Sequence, residues 1–399
     1  MSFEVPPPKD CIECGGGAIH HRLVYISIFL DGILGSLFAP AGLQQWVARS
    51  FGSTKRPRTP RLFAFLTWLG IAKKQEKPDD HTMLLAKMLW EEADARGISM
   101  WEFRLFNLPR NIFVAMLPSG KTIAFEGIPL PPESIDRVLW MDDKGVLKKE
   151  FKKLGLPVAR GGVAFTRAGA ERIFEEIQGT VIVKPHSGSA SRHTTLHIDN
   201  LAELGRAFAI AKQVSPFVVV EEELSGAVYR ATVVNGTFAA FLRRDPPHVV
   251  GDGVLTIREL VEKENMHPAR GGPYFSKMKL DSAATKELLW QGLTSTSVPE
   301  KGRYVTLHQK VNWSLGGTTA DATEHVHPDN VALFEEATRV LKASISGIDF
   351  IIENPSVSWK EQQRCGILEC NSMPFFDNHH LPFEGEPRNV AARIWDMVS

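Results

Sequence analysis

"GILECNSMP", residues 366–374, places Glu369 and Asn371 two apart in an otherwise apolar run. Successive strand residues point to opposite faces, so these two side chains share one face, with Leu368 and Cys370 behind them. A solvated edge strand can look like this, and so can a hard-metal site. The stretch "GIDFIIEN", residues 347–354, is the strand run before it, joined by the polar connection "NPSVSWKEQQR". Neighbouring runs joined this way form an antiparallel pair by default, which lets Asp349 face the same side as Glu369 and Asn371. Two carboxylates and an amide oxygen are hard donors, suited to Mg²⁺ or Mn²⁺ and not to zinc. Magnesium keeps waters and is usually completed by phosphates, so the triad implies a nucleotide.

Positive charge for such phosphates is present in two places. "TVIVKP" is a buried strand ending in Lys184, and "MDDKGVLKKEFKKLGLPV" is a helix with Lys144 at its start. Asp142 or Asp143 would cap that helix, Val146, Leu147, Phe151 and Leu154 would form its apolar stripe, and Gly155 and Pro157 would end it. No GxxxxGK[ST] occurs, and no GxGxxG follows a strand, so neither common phosphate-binding loop is used. "YRATVVNGTFAAFLRR", residues 229–244, is two strand runs joined by Asn235-Gly236, the strongest short hairpin signal. A two-residue loop pairs Val234 with Thr237, and counting back pairs Arg230 with Phe241 and Val228 with Arg243. Arg230 and Arg243 then converge on one face, where they repel unless an anion sits between them; otherwise both reach solvent. "VNWSLGGTTAD", residues 311–321, is a Gly-Gly turn flanked by hydroxyl residues, of the kind that can offer backbone N–H groups to an oxyanion.

A chain of 399 residues is too long for one core and implies two or three lobes. Lysine plus arginine equals aspartate plus glutamate, at 46 each, which gives no electrostatic argument for a nucleic-acid partner. Four cysteines, two near each end, are no disulfide framework, and a cytoplasmic location is the default expectation. The N-terminal part is unusual. "CIECGGGAIHH", residues 11–21, holds Cys11, Cys14, His20 and His21; lacking a second CxxC, it is half of a zinc site or a merely packed segment. "LVYISIFLDGILGSLFAPAGL", residues 23–43, is long enough to span a bilayer but contains Asp31, glycines and Pro40. The basic cluster Arg49 to Arg61 follows, and "RLFAFLTWLGIAKK", residues 61–74, reads as an amphipathic helix. The expectation is a helical subdomain over residues 1–78, with peripheral membrane contact through residues 23–72 as the alternative. No cleavable signal peptide is expected, because charged and Pro-rich residues precede the apolar run.

Residues 79–140 read as a small α/β lobe, with a helix over 81–96 whose apolar side is Met83, Leu84, Met88 and Leu89. Residues 141–224 form a second lobe, ending in the strand "PFVVVEEEL". Residues 225–399 form the third, which carries the metal triad. Within it, Thr256 and Glu259 make a capping box. "HPDNVALFEEATRVLKASIS", residues 327–346, is a long amphipathic helix through Val331, Phe334, Val340, Leu341 and Ile345. A closing helix runs through Val390, Ile394 and Val398. The scattered His248, His308, His325 and His327 read as surface or capping residues.

From about residue 140 onward the chain resembles the ATP-grasp ligases, and within them the ATP-grasp portions of cyanophycin synthetase and bifunctional glutathione synthetase. The similar stretches are "RRDPPHVVGDGVLTIRELV", "VNWSLGGTTADATEHVHP" and "PFEGEPRNVA", in one order over some 250 residues. "EEADARGISMWEF" is similar to the lobe that precedes the ATP-grasp part. The resemblance implies an α/β (α+β) ATP-grasp fold, two lobes clasping ATP. Lys144 and Lys184 would hold the phosphates, with Gly188 in the loop that covers them. Glu221 and the backbone of Glu223 and Leu224 would read the adenine edge. Asp349, Glu369 and Asn371 would bind two Mg²⁺ (or Mn²⁺). Arg230 and Arg243 would flank the transferred phosphoryl group, and the loop with Asn312, Ser314, Gly316, Gly317 and Thr318 would hold the acceptor or the acyl phosphate. The chain departs from its relatives at Ser191 and His193, where they show glycine, and at Ala227 and Val228, where they carry a ribose-side acid or histidine; Glu222 is a substitute for that contact.

The resemblance implies an ATP-dependent carboxylate–amine ligase that forms an amide through an acyl phosphate. Its substrates would be amino acids or short peptides, and it would be a homodimer or homotetramer. The relatives carry a further ligase domain that this chain lacks, so it would be a stand-alone, single-step enzyme. Two other readings use the same features: an ATP-binding sensor or scaffold without ligase chemistry, and a phosphotransferase to a hydroxyl group.

Overall fold

The computed structural model describes residues 11, 13, 20–26, 65–105, 108–131, 141, 144–186 and 192–399. Most of the N-terminal stretch, including Cys14, the apolar run from residue 27 and the basic cluster to Arg61, lies outside them, as do Asp142, Asp143, Gly188 and Ser191. Among the described residues no helix is long and apolar enough to cross a membrane.

The first sheet is antiparallel, in the order β1 (Ala72–Gln75), β2 (Ser99–Leu105), β3 (Leu108–Met116), β4 (Thr122–Glu126), with α1 (Leu84–Ala95) between β1 and β2 in sequence. The helix expected over 61–74 therefore stops early. Gly70 adopts φ +73, and Ala72 to Gln75 pair with Leu105 to Glu102 instead. The buried face of α1 is Leu85, Ala86, Leu89, Trp90 and Ala93; it shares Leu89 with the expected stripe, while Leu84 and Met88 are half-buried and Met83 is exposed. Helical spacing alone could not choose between these overlapping stripes.

The chain continues through α2 (Lys144–Lys153), β5 (Gly161–Ala164), α3 (Arg167–Ile177), β6 (Val181–Pro185), β7 (Thr195–Ile198), α4 (Leu201–Lys212) and β8 (Val218–Glu222). Its four strands pair in the order β5-β8-β6-β7, and α3 and α4 cover one face of that sheet. On α2 the buried pair is Leu147 and Phe151, an i,i+4 couple, while Val146 and Leu154 face outward.

A long central sheet follows. β9 (Ala227–Val234) and β10 (Thr237–Asp245) form the Asn235-Gly236 hairpin, with φ +51 and +73 at the two turn residues. After it come the two-stranded ribbon of β11 (His248–Val250) and β12 (Tyr304–Thr306), with α5 (Ile257–Glu264) and α6 (Ser282–Trp290) inserted between them. The Thr256–Glu259 capping box starts α5. β13 (Thr318–Asp321), α7 (Pro328–Leu341), β14 (Ile345–Ile352), β15 (Gly366–Asn371), α8 (Asp377–His380) and α9 (Val390–Val398) complete the fold. The central sheet has the order β13-β10-β9-β14-β15. The amphipathic pattern over 327–346 splits in two. Lys342 at φ +51 ends α7, and Ile345 begins β14, because the same apolar run serves a strand that must pair with β9.

Val234 pairs with Thr237 as the hairpin signal predicts, but the register slips between Phe238 and Ala240. Arg230 therefore lies opposite Leu242, Tyr229 opposite Arg243 and Val228 opposite Arg244. A one-residue bulge moves every later side chain to the other face. The expected convergence of Arg230 and Arg243 is replaced by Arg230 with Arg244, and Arg243 instead turns to Asp245, two residues on, at 2.8 Å.

Candidate active site

β14 lies between β9 and β15, and the registers place Arg230 opposite Asp349 and Asp349 opposite Glu369. These three side chains form a row across three strands, with Asn371 two residues beyond Glu369 and opposite Gly347. Leu368 is the extra residue of a bulge in β15, since Glu369 pairs with Asp349 while Ile367 pairs with Phe350. Cys370 stands opposite Ile348 and is buried in the core behind the sheet.

Asp349 is buried among cations. One carboxylate oxygen accepts from Arg230 Nε, and the other from Arg244 Nη1 at 3.2 Å. Burial pushes its carboxyl up, but the Arg230 and Arg244 guanidiniums outweigh that and hold it below the usual carboxylate range. Asn371 donates Nδ2 to the Gly347 carbonyl at 3.4 Å, which leaves its Oδ1 as an acceptor. Two carboxylates and one amide oxygen on one face fit a hard divalent cation, and each Asp349 oxygen keeps a second lone pair beside its guanidinium bond.

This row opens into a cavity of about 1440 Å³ between the central sheet and the β5-β8-β6-β7 sheet. Asp349, Leu368, Glu369 and Asn371 line its floor, Arg243 and Arg244 one side, and Lys184 with Glu221 to Leu224 the opposite wall. In β6, Val181 and Val183 point into the core, so Lys184 points out of it; Glu221 on β8 is its diagonal neighbour. Lys184 Nζ reaches Glu221 Oε2 at 2.7 Å, and Lys148 from α2 reaches the other oxygen. Burial pushes the Glu221 carboxyl up, yet Lys184 and Lys148 together bring it down to about 2.

The structure thus brings Lys184, Glu221, Glu223, Leu224, Arg243, Asp349, Glu369 and Asn371 to one cavity, with Arg230 bonded to its floor. Lys144 heads α2, and Lys148, one turn later, is the lysine of that helix seen at Glu221. Sequence reasoning missed Lys148; its i,i+4 relation to Lys144 was the available signal. It also missed Arg244, for which no local signal exists once a bulge intervenes. Glu222 is held by Arg160, through the backbone N–H and Nε, each at 2.7 Å. The Glu223 amide donates to the Thr180 carbonyl and its carbonyl accepts from Arg364. Among the described residues nothing hydrogen-bonds the Leu224 amide or carbonyl, and Leu224 lines the cavity.

The Gly-Gly turn behaves differently from its sequence reading. Asn312 accepts from the Ser314 amide at 2.9 Å, while the Leu315, Gly316 and Gly317 amides donate to the Asn312 and Trp313 carbonyls. Those N–H groups are consumed within the loop and are not offered to the cavity. The glycines serve packing: a Cβ at Gly316 would lie 2.5 Å from Met278, and one at Gly317 would lie 2.7 Å from the Asp245 carbonyl oxygen. Thr318 pairs with Asp245 in the sheet.

No family model matches the chain. Cyanophycin synthetase of Trichormus variabilis is 35% identical over 260 residues, which cover 64% of this chain and 29% of that protein. The glutathione biosynthesis bifunctional protein of Clostridium perfringens is 28% identical over 323 residues, covering 79% of this chain and 41% of that one. The chain therefore spans less than half the length of either relative. A crystal structure of a bifunctional glutathione synthetase from Pasteurella multocida superposes with a TM-score of 0.60 at 24% identity, over 92% of this chain and 48% of that one. This chain has the ATP-grasp fold, and it is similar in sequence to part of cyanophycin synthetase.

Proposed function

We propose that the chain is an ATP-dependent carboxylate–amine ligase acting on amino acids or short peptides. The observation that carries this reading is the pairing of two opposed surfaces across one cavity. A row of Arg230, Asp349 and Glu369 with Asn371 faces the lysine pair Lys148 and Lys184. The lobes of residues 141–224 and 225–399 would close on ATP, with the adenine edge against the Leu224 backbone. Lys148 and Lys184 would leave Glu221 in part to hold phosphate oxygens. Asp349, Glu369 and Asn371 would hold Mg²⁺ or Mn²⁺, which supplies charge neutralisation for the phosphates.

A substrate carboxylate oxygen then attacks the γ-phosphorus in line, and the bond to the bridging oxygen breaks, leaving ADP. Arg244, bonded to Asp349, would stabilise the charge spreading over the phosphoryl oxygens, while Arg243 lines the cavity turned to Asp245. The amine attacks the acyl carbon of the acyl phosphate. Its C–O bond breaks, inorganic phosphate departs, and the amine's proton passes to solvent. No covalent protein nucleophile is needed, because positioning and fixed charge do the work. Cys370 faces the core and takes no part.

The names of the relatives support amino-acid or peptide substrates. The test is incubation with ATP, Mg²⁺ and pools of amino acids and dipeptides, read by mass spectrometry. A product lighter than its two substrates by one water, formed with ADP, is the expected result. A stable phosphorylated product, or ADP release that no amine affects, refutes the ligase reading.

A further inference from the structure

Away from the cavity floor, three residues far apart in the chain come together. Cys11, His21 and His193 each offer a ligand atom, and those atoms all lie within 4.8 Å of one another. Cys11 Sγ and His193 Nε2 are 4.0 Å apart. The His21 and His193 rings meet edge to face, with centroids 4.7 Å apart. A thiolate and an imidazole bound to one tetrahedral Zn²⁺ stand about 3.6 Å apart, from bond lengths of about 2.3 and 2.05 Å. The observed spacing is a few tenths of an ångström from that value.

The surroundings are those of a built site. His193 is fully buried, although histidine carries a polar ring. Its Nδ1 lies 3.0 Å from the Ile210 carbonyl on α4, which fixes the tautomer that leaves Nε2 aimed at Cys11. Its backbone sits at φ +53, a conformation that disfavours any side chain, and its N–H donates to the Glu13 carbonyl at 3.0 Å. That carbonyl also accepts from Lys310 Nζ, while the Glu13 carboxylate reaches Lys286 Nζ, both at 3.3 Å. Residue 13 therefore joins the N-terminal segment to the loop before β7 and to the cavity rim.

We propose that Cys11, His21 and His193 bind a borderline-soft divalent cation, Zn²⁺, which staples the N-terminal segment to the β5-β8-β6-β7 lobe. One thiolate and two imidazoles suit zinc and not the hard cation of the carboxylate triad. The fourth position goes to water or to a further ligand. On binding, the Cys11 thiol gives its proton to solvent, so uptake falls as pH is lowered. The site is structural: it holds Glu13 at the rim, and it stands whether or not the cavity performs ligase chemistry.

The test uses the full chain, purified without a polyhistidine tag and analysed for transition metals by mass spectrometry. The expected content is near one equivalent of zinc, falling more than tenfold in C11S and H193Q and unchanged in E369Q. H21Q alters a partly exposed residue, so its loss of zinc with an unchanged circular dichroism spectrum separates binding from folding. Cobalt exchange should give a thiolate-to-metal band in the wild type that C11S lacks. Wild-type protein that carries no zinc and takes up neither zinc nor cobalt overturns the proposal. So does full zinc retention in C11S and H193Q.

Discussion

Glu221→Gln is the most informative single substitution, because one buried carboxylate holds two ammonium groups. The Glu221, Lys148 and Lys184 side chains are 6%, 12% and 16% exposed. The ordinary glutamate value of 4.5 falls to about 2 in the folded chain, with Lys184 and Lys148 overcoming the cost of burial. At 1.36 kcal/mol per pKa unit, the carboxylate contributes about 3 kcal/mol near neutral pH. Removing one member of a buried ion pair typically costs about 3–5 kcal/mol, which agrees. Because the folded value is depressed, the contribution is complete above pH 4.5 and is lost as pH falls from 4.5 through 2. Urea unfolding of wild type and E221Q at pH 7 should differ by about 3 kcal/mol, and at pH 3 by about half of that. Saturating ATP should narrow the gap at pH 7, because its phosphates replace the missing anion between the lysines. A difference under about 0.5 kcal/mol at pH 7, or one that does not shrink in acid, refutes the assignment of this carboxylate as the lysines' counter-charge.

Four further outcomes follow from the geometry. Glu369→Gln should abolish ADP release while its unfolding free energy stays within about 1 kcal/mol of wild type; Cys370→Ser should lose about 1–2 kcal/mol of stability and keep most activity. Gly226 sits at φ +115, and a Cβ there would lie 2.3 Å from the Ile352 carbonyl. Gly226→Ala should therefore destabilise by at least about 2 kcal/mol in thermal or urea unfolding. His197 is held above its ordinary value by Glu223, 2.7 Å away, so its contribution is complete below pH 6.5 and fades as pH rises through the raised value. The thermal midpoints of wild type and His197→Gln should converge as pH rises above 6.5, and a constant gap would count against the pair.

The juxtaposition of Asp349, Glu369 and Asn371 was legible because strand alternation has a period of two, and the connection between the runs left one sensible pairing. Asn235-Gly236 and the Thr256–Glu259 box were legible because their chemistry is local. The arginine register was not, since the bulge between Phe238 and Ala240 answers to packing against α7 and carries no signature of its own. On α2 the lysine seen at Glu221 is Lys148, one turn past the start of the helix, and only the position of Glu221 on a distant strand points to it. The Gly316-Gly317 turn illustrates a general ambiguity: a glycine needed for close packing against Met278 reads the same as one that exposes its amide. His193 is the extreme case, because its partners lie some 180 residues upstream.

The hydrophobic cluster under the first sheet has an unusual timetable. It joins Leu89, Trp90, Phe113 and Phe125 to Ile394 and Trp395 of α9, and the Trp395 indole N–H donates to the Leu89 carbonyl at 3.0 Å. Arg96 is bonded to Asp396 across the same seam. During synthesis α1 covers part of the early strands' inner face, and the part that Ile394 and Trp395 fill stays open until residues 390–398 have been made. At translation rates of about 5–20 residues per second, that wait is on the order of tens of seconds. Over that interval the nascent chain carries an open apolar patch, which suits it to ribosome-associated chaperones. Expression yield, more than equilibrium stability, is where changes to the α1–α9 seam would be felt first.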